Sequence, residues 1–187
     1  HLGHFVLTEE LLPALQAAPA ARVVTMTSMA RAQGQTLTDE RVRISDQYQA
    51  WQAYGDSKLA NYQFGIELSR RLEQAGSSVI SLVAHPGLSH TNLQVATVEN
   101  DGVGISGRFW KYAARYVGMP ALDGALPGLR AATDPEARNG QVYGPRWNVR
   151  GAPVEIGQED QRVKPEETAR MWSLSESQTG TVFSLGH

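Results

Sequence analysis

The chain has 187 residues, 41% of them apolar, enough for one ordinary domain with a real core. A net charge of −2 with scattered arginines gives neither nucleic acid nor an anionic membrane a reason to bind. The absence of cysteine excludes a disulfide framework, a thiolate zinc site and a cysteine nucleophile, and suits a cytoplasmic location.

No apolar run approaches the ~20 residues of a membrane span, and no signal-peptide pattern opens the sequence. The five histidines are dispersed, without the spacing of a helical zinc site. The opening His1-Leu2-Gly3-His4 lacks an initiator Met and runs straight into a helical pattern, as the middle of a longer chain would.

Phe5, Val6, Leu11, Leu12 and Leu15 recur near helical spacing and predict a helix over 4–17. Arg22 to Thr27 is a short β-branched run without alternation, the pattern of a strand buried on both faces, with Ser28 at its end. A polar stretch over 31–50 precedes the longest predicted helix, 51–75. Leu59, Tyr62, Ile66 and Leu68 give that helix an apolar face, and Gly76 stops it. Ser78 to Ala84 reads as a second buried strand, broken by His85-Pro86-Gly87. Residues 88–119 read as loop and short helix, with Phe109, Trp110, Tyr112, Tyr116 and Met119 among them.

Leu122 to Thr133 is a further helix, which Pro127 should kink or begin. Gly140 to Gly144 predicts a short strand and 145–164 irregular chain. Glu166 to Gln178 closes the sequence as a helix with Pro165 ahead of its acidic first turn. Helices alternating with buried strands indicate an α/β fold with a parallel sheet, one domain over 1–187.

Two constellations carry chemistry. Tyr54 and Lys58 are four apart on the longest helix and so share one face. An ammonium beside a phenol favours the phenolate, which suits general acid/base work on an alcohol oxygen. Gly102, Gly104 and Gly107 match the spacing of a dinucleotide fingerprint. Glu99 and Asp101 would crowd a pyrophosphate there, and Pro120 spoils the strand expected before Asp123. A surface lid accounts better for those glycines.

Taken in order, the segments resemble the C-terminal two-thirds of a short-chain dehydrogenase/reductase. Val23-Val24-Thr25-Met26-Thr27-Ser28 resembles the family's strand ending in Ser. Tyr54 and Lys58, with Ser57 before the Lys, match its Y-x-x-x-K, and Pro86-Gly87-Leu88-Ser89-His90-Thr91 its P-G-x-x-x-T. His1 to Thr8 is similar to the helix that follows the family's structural Asn. Tyr54 to Asn61 and Met171-Trp172-Ser173-Leu174-Ser175-Glu176 are similar to the retinol-dehydrogenase-like branch.

That resemblance implies a Rossmann-like, doubly wound parallel sheet whose glycine-rich turn, ribose-reading residue and catalytic Asn lie upstream of His1. It implies NAD or NADP as cofactor and hydride transfer to or from a small alcohol, aldehyde or ketone. Tyr54 would be the general acid/base, Lys58 would favour its phenolate and bond the nicotinamide ribose, and Ser28 would hold the substrate oxygen. Pro86, Gly87, Leu88 and Thr91 would seat the carboxamide. Residues 88–119 would form a substrate lid, with Leu93, Phe109 and Trp110 in an apolar wall suited to a hydrophobic substrate. A homodimer or homotetramer using the 51–75 helix is also implied, although packing on the sheet explains its apolar residues equally well.

Two other functions share these residues. A sugar-nucleotide epimerase or dehydratase keeps its nicotinamide and uses the same Tyr and Lys; the brief tail argues against it. A non-catalytic dinucleotide-binding protein would have less reason to keep Ser28, Tyr54 and Lys58 together.

Overall fold

A computed structural model describes residues 1–42, 48–89, 118–157 and 161–185. The chain runs through α1 (Leu2–Ala17), β1 (Arg22–Met26), a 3-10 turn η1 (Met29–Gln33), α2 (Asp39–Val42), α3 (Ala50–Gln74) and β2 (Ile80–Ala84). It continues through α4 (Ala121–Thr133), β3 (Val142–Pro145), β4 (Pro153–Ile156), a second 3-10 turn η2 (Gln161–Val163) and α5 (Pro165–Thr179).

The four strands form one sheet in the order β1-β2-β3-β4. β1 with β2 and β2 with β3 are parallel, Thr25 lying opposite Val83 and Val83 opposite Val142. β3 and β4 form an antiparallel hairpin, with Val142 opposite Ile156.

Alternation along β2 sends neighbouring side chains to opposite faces. Val83 packs under α3 with Leu59, Tyr62 and Ile66. Gly65 allows the close approach: a Cβ there would fall 2.4 Å from Val83 Cγ2. Leu82 and Ala84 face the other way and meet Ala131 of α4. Helices therefore cover both faces of the sheet, the doubly wound arrangement.

α1 and α5 add a third layer outside α3. Phe5, Phe64 and Trp172 meet there, with ring centroids 5.0 Å apart for Phe5–Trp172 and 5.7 Å for Phe64–Trp172. As a result every residue from Leu59 to Ser69 is buried. A helix buried all round has spent its apolar face inside its own chain.

Glu67 ties these layers together although it sits deep in α3, at 1% exposure. Its carboxylate accepts hydrogen bonds from Arg70, from Arg71 Nε at 2.7 Å and from Thr168 Oγ1 of α5 at 2.7 Å. Burial alone would raise its pKa; the bonds from Arg70, Thr168 and Arg71 outweigh that and hold it below the usual value of 4.5. A carboxyl whose pKa falls on folding stabilises the fold above its unfolded value and loses that contribution as pH drops through the folded one. Stability is expected to fall as pH drops below 4.5, and Glu67→Gln should flatten this acid limb in thermal melts taken across pH. Parallel profiles for the two proteins would refute the assignment.

Three expectations need correction. β1 is not fully buried on its two faces: Val23 and Val24 pack against opposite clusters but are only half-buried, and Met26 is 39% exposed. The segment 145–164 is not wholly irregular, because it holds β4 and η2. Pro153 hides β4 from a pattern reading, yet proline is tolerated at the first position of an edge strand. Of the two places open to Pro127, the first turn is ruled out: it lies in the interior of α4 and is buried. Gly76 does end α3, with φ +65° and Ser77 N–H donating to Leu72 O at 3.0 Å. Among the described residues no helix is long and apolar enough to cross a membrane.

Candidate active site

The carboxyl end of β1 is fastened to the middle of α3. Buried Thr27 donates its hydroxyl to Lys58 O at 2.6 Å, and Asn61 Nδ2 donates to Met26 O at 3.1 Å. Ser28 follows in extended conformation and caps η1, its Oγ accepting the Ala30 N–H at 3.2 Å. That bond uses a lone pair, so the hydroxyl proton can still be given to a substrate oxygen.

The loop leaving η1 is pressed onto the first turns of α3. A Cβ at Gly34 would fall 2.3 Å from Gly55 O, and one at Gly55 would fall 3.1 Å from Ala30 O. Asp56, 6% exposed, accepts Gln35 N–H and Gln52 Nε2 at 2.7 Å each. Trp51 Nε1 donates to Gln33 Oε1 at 2.8 Å, and its ring lies 5.7 Å from that of Tyr54. These contacts bring the segment that starts at Ser28 against the turn that carries Tyr54.

Lys58 lies one turn beyond Tyr54, its Nζ 5.7 Å from the centre of the phenol ring. Both side chains are half-buried. Burial pulls the Lys58 ammonium below its ordinary pKa, and among the described residues no carboxylate pairs with it. A partly desolvated ammonium without an anionic partner is suited to neutral hydroxyl ligands and to a transient phenolate.

The turn after β2 forms a second wall. Buried His85 accepts the Gly87 N–H on Nδ1 at 3.2 Å, and Gly87 takes φ +65°. Burial, with the charge of Arg31 adding, lowers the His85 pKa to about 4, so the ring is neutral. Its other nitrogen leans on Gly144, where a Cβ would lie 2.3 Å away. The β3–β4 hairpin braces this turn from outside: Leu88 N–H donates to Val149 O at 2.8 Å. Ser89 Oγ closes the turn on Pro86 O at 3.1 Å.

Ser28, Tyr54, Lys58, Pro86, Gly87 and Leu88 thus gather around the carboxyl ends of β1 and β2 and the start of α3. Open α/β sheets bind ligands at such strand ends. Thr91, Leu93, Phe109, Trp110 and the Gly102–Gly107 fingerprint lie outside the described residues, as does the expected lid apart from its two ends, where Met119 N–H donates to Leu88 O at 2.8 Å. Pattern reading missed Thr27, Asp56 and Asn61, the residues that fasten these pieces together. Asn61 left a signal, a polar residue seven positions after Tyr54 and three after Lys58, on their face of α3.

No family model matches the chain. Over 93 residues, half of this chain, it is 41% identical to retinol dehydrogenase 13 of Homo sapiens, covering 28% of that protein. It is 35% identical over 100 residues to the short-chain dehydrogenase TIC 32 A, chloroplastic, of Brassica napus, covering 31% of it. An uncharacterized protein from Mycobacterium paratuberculosis, known by crystal structure, matches with a TM-score of 0.71 and 36% identity. That match covers 98% of this chain and 57% of the solved one, so the chain spans only part of the length of its relatives. Fold, ordered motifs and these similarities agree: the chain is similar to short-chain dehydrogenases, retinol dehydrogenases among them, over the part of their length that it spans.

Proposed function

We propose that the protein carrying this chain is an oxidoreductase that transfers a hydride between NAD or NADP and the oxygen-bearing carbon of a small alcohol, aldehyde or ketone. The observation that carries this reading is the Tyr54–Lys58 face, with a half-buried ammonium that no carboxylate among the described residues pairs, 5.7 Å from the phenol ring. The donor set fits the nicotinamide end of such a cofactor. Lys58 supplies hydrogen bonds for ribose hydroxyls, and the turn at Pro86, Gly87 and Leu88, its N–H groups already bonded to His85 and Val149, offers backbone carbonyls for the amino group of a carboxamide. The bound cofactor supplies or accepts the hydride.

The protein's part in reduction is proton transfer and charge control. Tyr54 gives its hydroxyl proton to the carbonyl oxygen as the carbon gains the hydride, leaving a phenolate. The Lys58 ammonium steadies that phenolate through space. Ser28 donates its hydroxyl proton as a hydrogen bond to the same oxygen, where negative charge develops. Oxidation runs these steps backwards. The apolar composition of 88–119 supports a hydrophobic substrate, and the lack of cysteine supports a cytoplasmic location. Because the middle of α3, from Leu59 to Ser69, is enclosed within the chain, a homo-oligomer would assemble through the ends of this helix or through another surface.

The test uses reduced cofactor deuterated at its transferable position and a series of aldehydes of rising chain length. Deuterium should appear on the carbinol carbon of the product, with kcat/KM rising along the series. Product without label would overturn hydride transfer. A preference for the shortest aldehydes would overturn the hydrophobic substrate alone.

A further inference from the structure

We infer that Arg162, in η2 just ahead of α5, is a positioning residue for Ser28. The turn η1 has five residues, and a 3-10 turn this short does not sustain itself by its own hydrogen bonds. Both of its ends are satisfied from outside. At the amino end Ser28 Oγ takes the Ala30 N–H. At the carboxyl end Arg162 Nη1 donates to Arg31 O at 2.7 Å, with Ala32 O at 3.2 Å and Gly34 O at 3.3 Å also in reach. A guanidinium at the carbonyl end of a helical turn is favourable both as donor and as charge.

Arg162 is itself held by the helix that carries Tyr54. Buried Gln63 of α3 donates its side-chain amide to Arg162 O at 2.8 Å. The contacts therefore close a ring, from α3 through Arg162 to the end of η1, back along η1 to Ser28, and through Thr27 to α3 at Lys58. Removing the guanidinium leaves Arg31 O with the Gly34 N–H alone and takes the Arg162 donor from Ala32 O and Gly34 O, which lets η1 fray from its carboxyl end. Ser28 then loses the Ala30 amide, the contact that orients its oxygen. A segment 131 residues beyond Arg31 in the chain thus sets the aim of the hydroxyl that meets the substrate. The inference rests on the role proposed for Ser28.

A double-mutant cycle in the intact protein tests it, with carbonyl-substrate kinetics and cofactor affinity measured on the wild type, Ser28→Ala, Arg162→Ala and the double variant. Arg162→Ala should lower kcat/KM for the carbonyl substrate by about 10- to 100-fold, the cost of a slightly misplaced group, and leave cofactor affinity unchanged. In the Ser28→Ala background the same change should cost almost nothing further, because the group it positions is gone. Arg162→Lys, which keeps donors, should recover most of the activity, whereas Arg162→Met, which keeps only the stem, should not. The lysine and methionine variants also give the comparison if the alanine variant fails to fold.

Losses that multiply in the double variant would overturn the positioning role, as would wild-type kcat/KM in Arg162→Ala. Normal turnover by Ser28→Ala would remove the role of Ser28 and this inference with it. An impaired Ser28→Ala with multiplying losses would remove the inference about Arg162 alone.

Discussion

Tyr54→Phe is expected to lower carbonyl reduction by about 100- to 10,000-fold, the range for a lost general acid, while the nicotinamide cofactor still binds. The substitution removes one oxygen and leaves the ring, so the contact with Trp51 at 5.7 Å is kept and α3 is undisturbed. Lys58 keeps its place, because its backbone carbonyl is held by Thr27 and not by the phenol. What is lost is the only phenolic proton among the described groups at this face. Steady-state kinetics with cofactor titration by fluorescence separate the two effects. Near-normal turnover would dismiss Tyr54 as the acid, and an equal loss of cofactor binding would point to a structural role.

Trp172→Ala is expected to cost about 3–5 kcal/mol of folding stability, as for other large aromatics cut from a core. The indole is fully buried and touches three aromatic rings: Phe5 at 5.0 Å, Phe64 at 5.7 Å and Phe183 at 4.6 Å. Arg71 stacks 4.4 Å over it, and the indole N–H donates to Glu176 Oε1 at 2.9 Å. Removing it opens a void where α1, α3 and α5 meet, and Arg71 loses its ring while still bound to Glu67. Trp172→Phe should cost much less, because it keeps a ring against Phe64. Denaturant titration gives both values; an alanine variant within about 1 kcal/mol of wild type would mean that the surroundings refill the space, contrary to the usual cost of core truncation.

The strands and long helices were legible in the sequence because their signals are local. The β-branched runs ending at Ser28 and His85 lie in parallel strands, and the Tyr54–Lys58 spacing falls in a helix as expected. Hairpin strand β4 was not legible, since four residues beginning with proline carry no alternation to read. The burial of α3 on every side was only half legible: its apolar residues predicted one covered face, whereas Phe5 and Trp172, distant in sequence, enclose the other. At the site, residue types could be read and fastening could not. Thr27 to Lys58, Gln35 to Asp56 and Arg162 to Arg31 are contacts between a side chain and a remote backbone group. Such partners depend on how the chain returns, and composition or spacing says nothing about them.

The meeting of Gly34 with Gly55 limits how this site can be altered. Each lacks a side chain because the other segment's backbone lies there: Gly55 O for Gly34, and Ala30 O for Gly55. A backbone carbonyl cannot be trimmed by a compensating substitution elsewhere, so neither position has a second-site suppressor of the ordinary kind. Selection for new substrates should therefore leave both glycines alone and change the separation of Ser28 and Tyr54 only by altering the length of the loop between η1 and α3. The two glycines make that separation a property of the chain path, set before any substrate-contacting side chain is chosen.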